Sequence, residues 1–581
     1  MKFLRRFLPV LLLFMAVFVG NGADVNASAS DENISVIVPV TVGITFNADG
    51  STTSTTFNVF NRSSVGIEIT SVNATELNDW ELVSSDTVID LDTRQLSFEL
   101  EGTEIMAGNN ELSISVSAMG LHNFDINIKR GVWTYSFDYE EAFLLEFEYE
   151  IVIPKHTLTL DGNSYLDDTE LILTEGETVE LPYPEDAEYE FVGWMDANEK
   201  MYEESFVMPD SNTTLTAMWR LPTYALFSES DGTLTFVQSI EEIKAGQEHN
   251  GRLITSVYSG FDTIRYTDYG RPPWYKDGTY KNVLSVEFED YVFPYNTAYW
   301  FYGFENCMNF DVSKLHTFLV YDMSFMYYSA GKSGEGLDFV ITGMEKWDTS
   351  NAKIMWSMFA YSGRNAKTYH IGNIGLWDVS KVYDMQSMFE SAGMNAIELY
   401  IGDLSTWDTS SLEIMMYMFN NMGCTTPYLN IGNIGTWDVS HVEMMTGVFM
   451  NMGEYSETVN IGDLGPWDVS NVYDFSNIFQ FMGSHVTDFY IGDLCGWDAS
   501  GCNTMNGMFD GAGRYSSTFY LGDLSKWTPI YASEMECMFR NAGAAATWHI
   551  DLSGWNVSNV CLYSHFNSGV EEKVIAPIWV Y

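Results

Sequence analysis

The chain has 581 residues, with 27 Lys and Arg against 80 Asp and Glu and a net charge of -53. Such a surface repels nucleic-acid phosphates and anionic lipid, so neither is an expected partner. Hydrophobic residues at 46% and aromatics at 15% exclude a disordered chain, and the length implies roughly three or four domains.

The N-terminus, residues 1–29, reads as an export signal. Lys2, Arg5 and Arg6 precede an apolar run from Phe7 to about Gly20, and Ala27-Ser-Ala29 is a small-x-small cleavage triplet. The run is shorter than the ~20 residues of a membrane span, so removal is expected, with no membrane insertion afterwards. An extracellular or cell-surface location follows. Over residues 30–155, Ile34 to Phe46 and Thr52 to Phe60 alternate apolar and polar residues between Asn, Asp, Gly and Ser turns. Short strands at this spacing predict a β-sandwich. Residues 156–220 carry Val179-Glu-Leu-Pro182, Phe191-Val-Gly-Trp194, Met208-Pro-Asp210 and Leu215-Thr-Ala-Met-Trp219. That order resembles a Listeria–Bacteroides (internalin B-type) repeat, which implies a small β-grasp-like module on a cell-surface protein.

Residues 221–310 are expected to form the leading cap of a solenoid that occupies 311–581. Trp recurs every 30 residues at 347, 377, 407, 437, 467, 497 and 527, and Trp555 closes the array. Twelve residues after each of the first seven stands Phe, from Phe359 to Phe539, and four residues later Gly, from Gly363 to Gly543. Leu399 and Ile401 flank Tyr400 as in a half-buried strand. Leu412, Met415, Phe419 and Met422 then follow spacings of three, four and three, which predicts a helix of about 12 residues. Ser410 sits where its N-cap belongs and Gly423 where a left-handed C-cap belongs. One strand and one helix per unit predict an α/β solenoid, leucine-rich-repeat-like, in which each unit covers the next.

The Trp-Asp-x-Ser and Met-x-x-Met-Phe signatures resemble BspA-like leucine-rich-repeat surface proteins, a family of unknown function also abundant in mycoplasmas. The resemblance runs from about Tyr224 to Tyr581 and includes Asp231-Gly-Thr-Leu-Thr-Phe236 and Pro272-Pro-Trp274. It implies a secreted or bacterial surface protein with a role in adhesion, and it brings no catalytic residues. The units here are longer than the about 20–29 residues usual for leucine-rich repeats.

No catalytic constellation stands out. The nine histidines show no HExxH spacing, and there is no GxSxG or P-loop. The expectation is a non-enzyme with no cofactor and no metal site. Cys307, Cys424, Cys495, Cys502, Cys537 and Cys561 lack zinc spacing; Cys495 and Cys502 are near enough to pair, but buried free thiols are the favoured reading. Asp403, Asp463, Asp493, Asp523 and Asp551 precede Trp by four, with Asn373 and Asn433 at that phase, and Asp348, Asp378, Asp408, Asp438, Asp468 and Asp498 follow it directly. Stacked carboxylates suit calcium, yet one column does not converge its oxygens, and turn capping is favoured. The Trp and Met columns read as core.

Binding is expected on the strand face. With Leu399 and Ile401 inward, the residues nine and seven before Trp point outward: Thr368 and His370, Glu398 and Tyr400, Tyr428 and Asn430, Thr458 and Asn460, Asp488 and Tyr490, Thr518 and Tyr520. They vary between units and are rich in residues that give contact area at low entropic cost. His370, Tyr400, Tyr428, Asn430, Tyr490 and Tyr520 are the candidates, toward a protein or glycan of a host or neighbouring cell. A display stalk with binding elsewhere is the alternative, and a secreted hydrolase a distant third.

Overall fold

The structure, a computed structural model, describes residues 155–184, 189–264 and 271–579 throughout, and before 155 mainly the strands. Residues 1–12 and 20–25 of the expected export signal lie outside the described residues. The chain forms two compact units, residues 1–182 with 204–216, and residues 183–203 with 217–581. Among the described residues no helix is long and apolar enough to cross a membrane.

The first unit is strand-rich, as its alternating sequence requires. Gly66–Glu76 lies between Gly108–Val116 and Glu140–Val152, both antiparallel to it, and Leu13–Val19 extends that sheet beyond Glu140–Val152. Val72, Leu145, Phe98 and Leu100 are buried. Further along, Lys155–Asp161 pairs with Thr169–Thr174, and Thr178–Glu180 with Ser205–Val207.

The second unit opens with the antiparallel strands Ser256–Ser259, Thr223–Ser228 and Thr233–Gln238. From there the sheet continues in parallel through Ser285–Phe288, Asn309–Asp311, Asp338–Thr342, Thr368–His370 and Glu398–Tyr400. Short parallel pairs follow, Tyr428–Asn430 with Thr458–Asn460 and Asp488–Tyr490 with Thr518–Tyr520. The long sheet stops where Pro427 enters. At that phase Ile397 donates its N–H to the Lys367 carbonyl and Glu457 to that of Pro427, but proline has no N–H to give. A second line of contact joins the rungs through single parallel bridges, Asp322 to Ile354 to Asp384 to Ile414 and onward to Leu562.

The helix expected after each Trp does not form, and the α/β, leucine-rich-repeat-like reading is overturned. Among the described residues the one α-helix is Pro273–Lys276, outside the repeats. Most rungs instead carry a short 3₁₀ turn such as Leu404–Thr406, then a run of successive turns. Met358, Ala360 and Ser362 donate to the carbonyls three residues back. Met355, Ser357, Phe359 and Tyr361 donate to Asp384, Gln386, Met388 and Glu390 of the next rung at 2.7–2.9 Å. An α-helix keeps every amide inside itself; here alternate amides point sideways and tie rung to rung.

The sequence has a reason to choose turns. Two columns, ten and fourteen residues after Trp, have left-handed backbone: Ser357, Ser387, Tyr417, Gly447, Asn477, Gly507 and Cys537, then Tyr361, Ser391, Asn421, Asn451, Phe481, Gly511 and Asn541. Ten of these fourteen are Gly, Asn or Ser, types that enter this region readily or weaken a helix interior. Gly423 has the expected left-handed φ, +50°, but it ends a turn run and not a helix.

The core is columnar. Trp347 to Trp555 are buried at 2–5% exposure, with neighbouring indoles parallel, Trp407 and Trp437 at 5.8 Å and Trp467 and Trp497 at 6.3 Å. Each indole N–H donates to a carbonyl of the previous rung, as Trp437 does to Leu404 at 2.8 Å. The Phe column stacks at 5.3–5.8 Å, and Met385, Met415, Met445 and Met505 are fully buried beside it. The ends are closed. Phe236, Phe261, Trp274 and Trp300 form a ring cluster at the start, and Val574–Ile575 pairs with Ile550–Asp551 at the finish, with Trp579 on Tyr563 at 4.2 Å. All six cysteines are free thiols, and Cys307, Cys424 and Cys502 are buried.

Candidate binding surface

Strand geometry sets the outward file. In Glu398–Tyr400 the middle residue Leu399 is buried while its neighbours are exposed, and the same pattern holds in Tyr428–Asn430, Asp488–Tyr490 and Thr518–Tyr520. In-register parallel pairing then places residues of one phase side by side: His370 beside Tyr400, Asn430 beside Asn460, Tyr490 beside Tyr520. Tyr400, Tyr428, Tyr490 and Tyr520 are 48–69% exposed. His370 is half-buried, with Nε2 3.5 Å from a Glu398 oxygen.

The file is organised by side-chain ladders. The Tyr490 and Tyr520 rings stack at 6.1 Å, and the His370 and Tyr400 rings lie 6.3 Å apart. Asn460 donates its amide to the Asn430 oxygen at 3.0 Å, and the Thr518 hydroxyl donates to Asp488 at 2.7 Å. Neighbouring Asp493 raises the Tyr520 pKa, and a hydrogen bond with Glu457 raises that of Tyr428. Both phenols stay protonated at neutral pH and can donate. The six candidate residues therefore share one face, on five of six consecutive rungs.

The acidic columns have a different role. Asp403, Asp493 and Asp523 accept from the amides of Ser405, Cys495 and Ser525, each capping a 3₁₀ turn, and Asn373 and Asn433 do the same for Gly375 and Gly435. The column after Trp works alike: Asp378, Asp408, Asp438, Asp468 and Asp498 accept from Ser380, Ser410, Ser440, Ser470 and Ser500 at 2.9–3.1 Å. Packing is tight. A Cβ at Gly432, where φ is +87°, would lie 1.9 Å from the Asp403 carboxylate of the previous rung. Among the described residues no group of three or more His, Cys, Asp or Glu is placed to hold a metal ion.

These caps predict an acid-sensitive fold. Hydrogen bonds hold Asp403, Asp438, Asp493, Asp498 and Asp551 below the ordinary aspartate value of 3.8. A depressed pKa contributes stability that is complete above the unfolded value and lost as pH falls through the folded one. Burial raises Asp262 and Asp384, which act in the opposite sense. Asn already serves at two rungs, so Asp403→Asn with Asp493→Asn keeps both caps without the titration. In melts from pH 7 to pH 2 the variant is expected to lose less stability than the parent below pH 3.8. Parallel acid limbs would mean that the carboxylates do not hold the turns.

The turn ladder and its left-handed columns were missed by sequence reasoning, although the Gly, Asn and Ser enrichment at two phases was there to be read. Comparison with known proteins bears on the repeats. A family model described as "Mycoplasma protein of unknown function, DUF285" matches residues 295–422, 333–461, 362–488, 421–519 and 451–573. No curated protein matches the chain, and no solved structure does. The overlapping matches advance along the rungs that carry the Trp and Phe columns, so the repeats of this chain are similar to that mycoplasma repeat-type family.

Proposed function

We propose that the chain is a secreted or surface-exposed bacterial adhesion protein that holds its ligand on the strand face of the stacked rungs. The observation that carries this reading is the outward file of tyrosine, asparagine and histidine on a rigid scaffold. The Trp and Phe columns hold one residue type from rung to rung, whereas the outward file varies, as a recognition surface does. The fold needs only a strand-forming residue at those phases. The BspA-like signatures, the internalin B-type motif order and the N-terminal export pattern support an extracellular location. A protein or glycan of a host or neighbouring cell is the partner class that a net charge of -53 leaves open.

A broad screen of glycans and extracellular proteins against the full chain supplies the ligand. Tyr400→Ser with Tyr490→Ser and Tyr520→Ser then tests the face, and because all three rings are about half exposed the fold is expected to survive. Loss of roughly two or more tyrosine contacts predicts at least tenfold weaker binding. Unchanged affinity in the folded variant moves the site elsewhere and favours the second reading, a display stalk.

A further inference from the structure

A second surface lies on the turn ladder, at its first rungs. Two files of aromatic rings run along it. In one, Tyr275, Tyr302, Tyr328 and Tyr361 follow one another with ring centroids 5.0–5.5 Å apart. In the other, Tyr299, Phe325 and Trp356 are spaced by 4.9 and 4.7 Å. Trp356 is exposed and the others are half-buried. The fold does not require rings here. Tyr299, Phe325 and Tyr361 have φ of 58–64°, a conformation bulky side chains disfavour, and most later rungs place Gly, Asn or Ser in these two columns. Three bulky rings held in this conformation on neighbouring early rungs, where later rungs mostly place Gly, Asn or Ser, point to a use for the rings.

The chain itself shows what such rings hold. The Arg271 guanidinium lies 4.3 Å from the centroids of both Tyr275 and Tyr302, seated in the corner made by two rings inclined at 76°. The same corner recurs twice, at Phe325 and Trp356, inclined at 62°, and at Tyr328 and Tyr361, inclined at 60°. Among the described residues no Lys or Arg lies over Phe325, Trp356 or Tyr328, and the chain's own Arg364 reaches Tyr361 only at 5.8 Å from its centroid, farther than Arg271 lies from its two rings. Glu390, bonded to the Tyr361 hydroxyl at 2.6 Å, adds negative charge beside the last corner. Several of the rings are packed face against face along the files, so little face is left for a sugar ring, whereas a guanidinium needs only a corner.

We infer that this aromatic strip docks an arginine-bearing, cationic segment of a partner protein, with the Phe325/Trp356 and Tyr328/Tyr361 corners taking guanidinium groups as Tyr275/Tyr302 takes Arg271. The chain's net charge of -53 attracts such a segment, and the rings give it a place to stop.

Because any cationic peptide is drawn to so acidic a protein, the test must separate rings from charge. The probes are fluorescent peptides alternating glycine with arginine or with lysine, titrated into the full chain by anisotropy at 0.5 M salt, where the screening length is about 4 Å. The variant is Trp356→Ser with Tyr328→Ser, which changes no charge; Trp356→Gln, the residue type at Gln386 one rung on, is the milder form should the first misfold. The arginine peptide is expected to bind more tightly than the lysine peptide and to lose about tenfold in the variant, as two lost cation–π contacts require. Equal affinity for the two peptides, or binding that the variant leaves unchanged, overturns the proposal. So does retention of soluble β-glucan or chitin oligosaccharides by the parent and not by the variant, without arginine-peptide binding, which makes the strip a glycan platform.

Discussion

Replacing Trp437 with alanine is expected to cost about 3–5 kcal/mol, the range for removing a large buried aromatic. The indole is 3% exposed, lies 5.8 Å from Trp407 in parallel, and touches Phe419 at 6.2 Å. Its N–H donates to the Leu404 carbonyl, which also accepts from the Trp407 backbone, so the loss is mainly of packing and leaves no buried carbonyl bare. Rungs above and below are fixed by backbone hydrogen bonds and cannot collapse far into the cavity, which places the cost toward the upper end. Leu376→Ala is the matched control: the side chain sits next to Trp377 in sequence but is 68% exposed, and its loss is expected within about 0.5 kcal/mol. Urea melts of both variants measure the difference. A Trp437→Ala cost below 1 kcal/mol would take the column out of the core and make it a surface.

How much of this was legible depends on which physical signal the sequence carries. The strand phases were readable because inward Leu399 and outward Glu398 and Tyr400 follow a period of two that no other element imitates. The Trp and Phe columns declared themselves by invariance. The segment after Trp was misread because Leu412, Met415, Phe419 and Met422 satisfy a chain of four-residue turns as well as a helix. The distinguishing features were local: Met418 and Phe419 are adjacent and both fully buried, and Gly447, Gly507 and Gly511 stand where a helix interior would weaken. The Asp columns were legible as turn caps because short carboxylates accept from the amide two residues on wherever they start a turn. The aromatic strip was hidden because Tyr299, Phe325 and Ser357 share a column at unequal spacings, ahead of the regular repeat.

Deleting one whole unit, Gly402 to Ile431, is expected to leave a folded protein, whereas deleting only Gly402 to Met416 is expected to split it. The whole-unit deletion joins Ile401 to Gly432 and returns every column to phase. Trp377 then meets Trp437, Phe389 meets Phe449, and the amide of Met385, which now donates to Ile414, finds the Met444 carbonyl. It also removes Pro427, so that Glu457 can donate to Ile397 and the sheet runs on where it now stops. The 15-residue deletion keeps the strand Tyr428–Asn430 but removes Trp407 and the start of its turn run. The columns on either side of the junction no longer meet, and two stacks face each other across a gap. About five large apolar side chains lose burial there, at about 1.5–3 kcal/mol each, which gives an upper bound of order 10 kcal/mol. That is comparable to the whole stability of an ordinary domain, about 5–15 kcal/mol. Thermal melts followed by circular dichroism distinguish the cases: one transition near the parent's for the whole-unit deletion, and a broadened or divided transition at lower temperature for the half-unit. A half-unit variant that melts like the parent would mean that the rungs are not the 30-residue units defined by the Trp column, since nearest-neighbour stacking allows removal only in whole rungs.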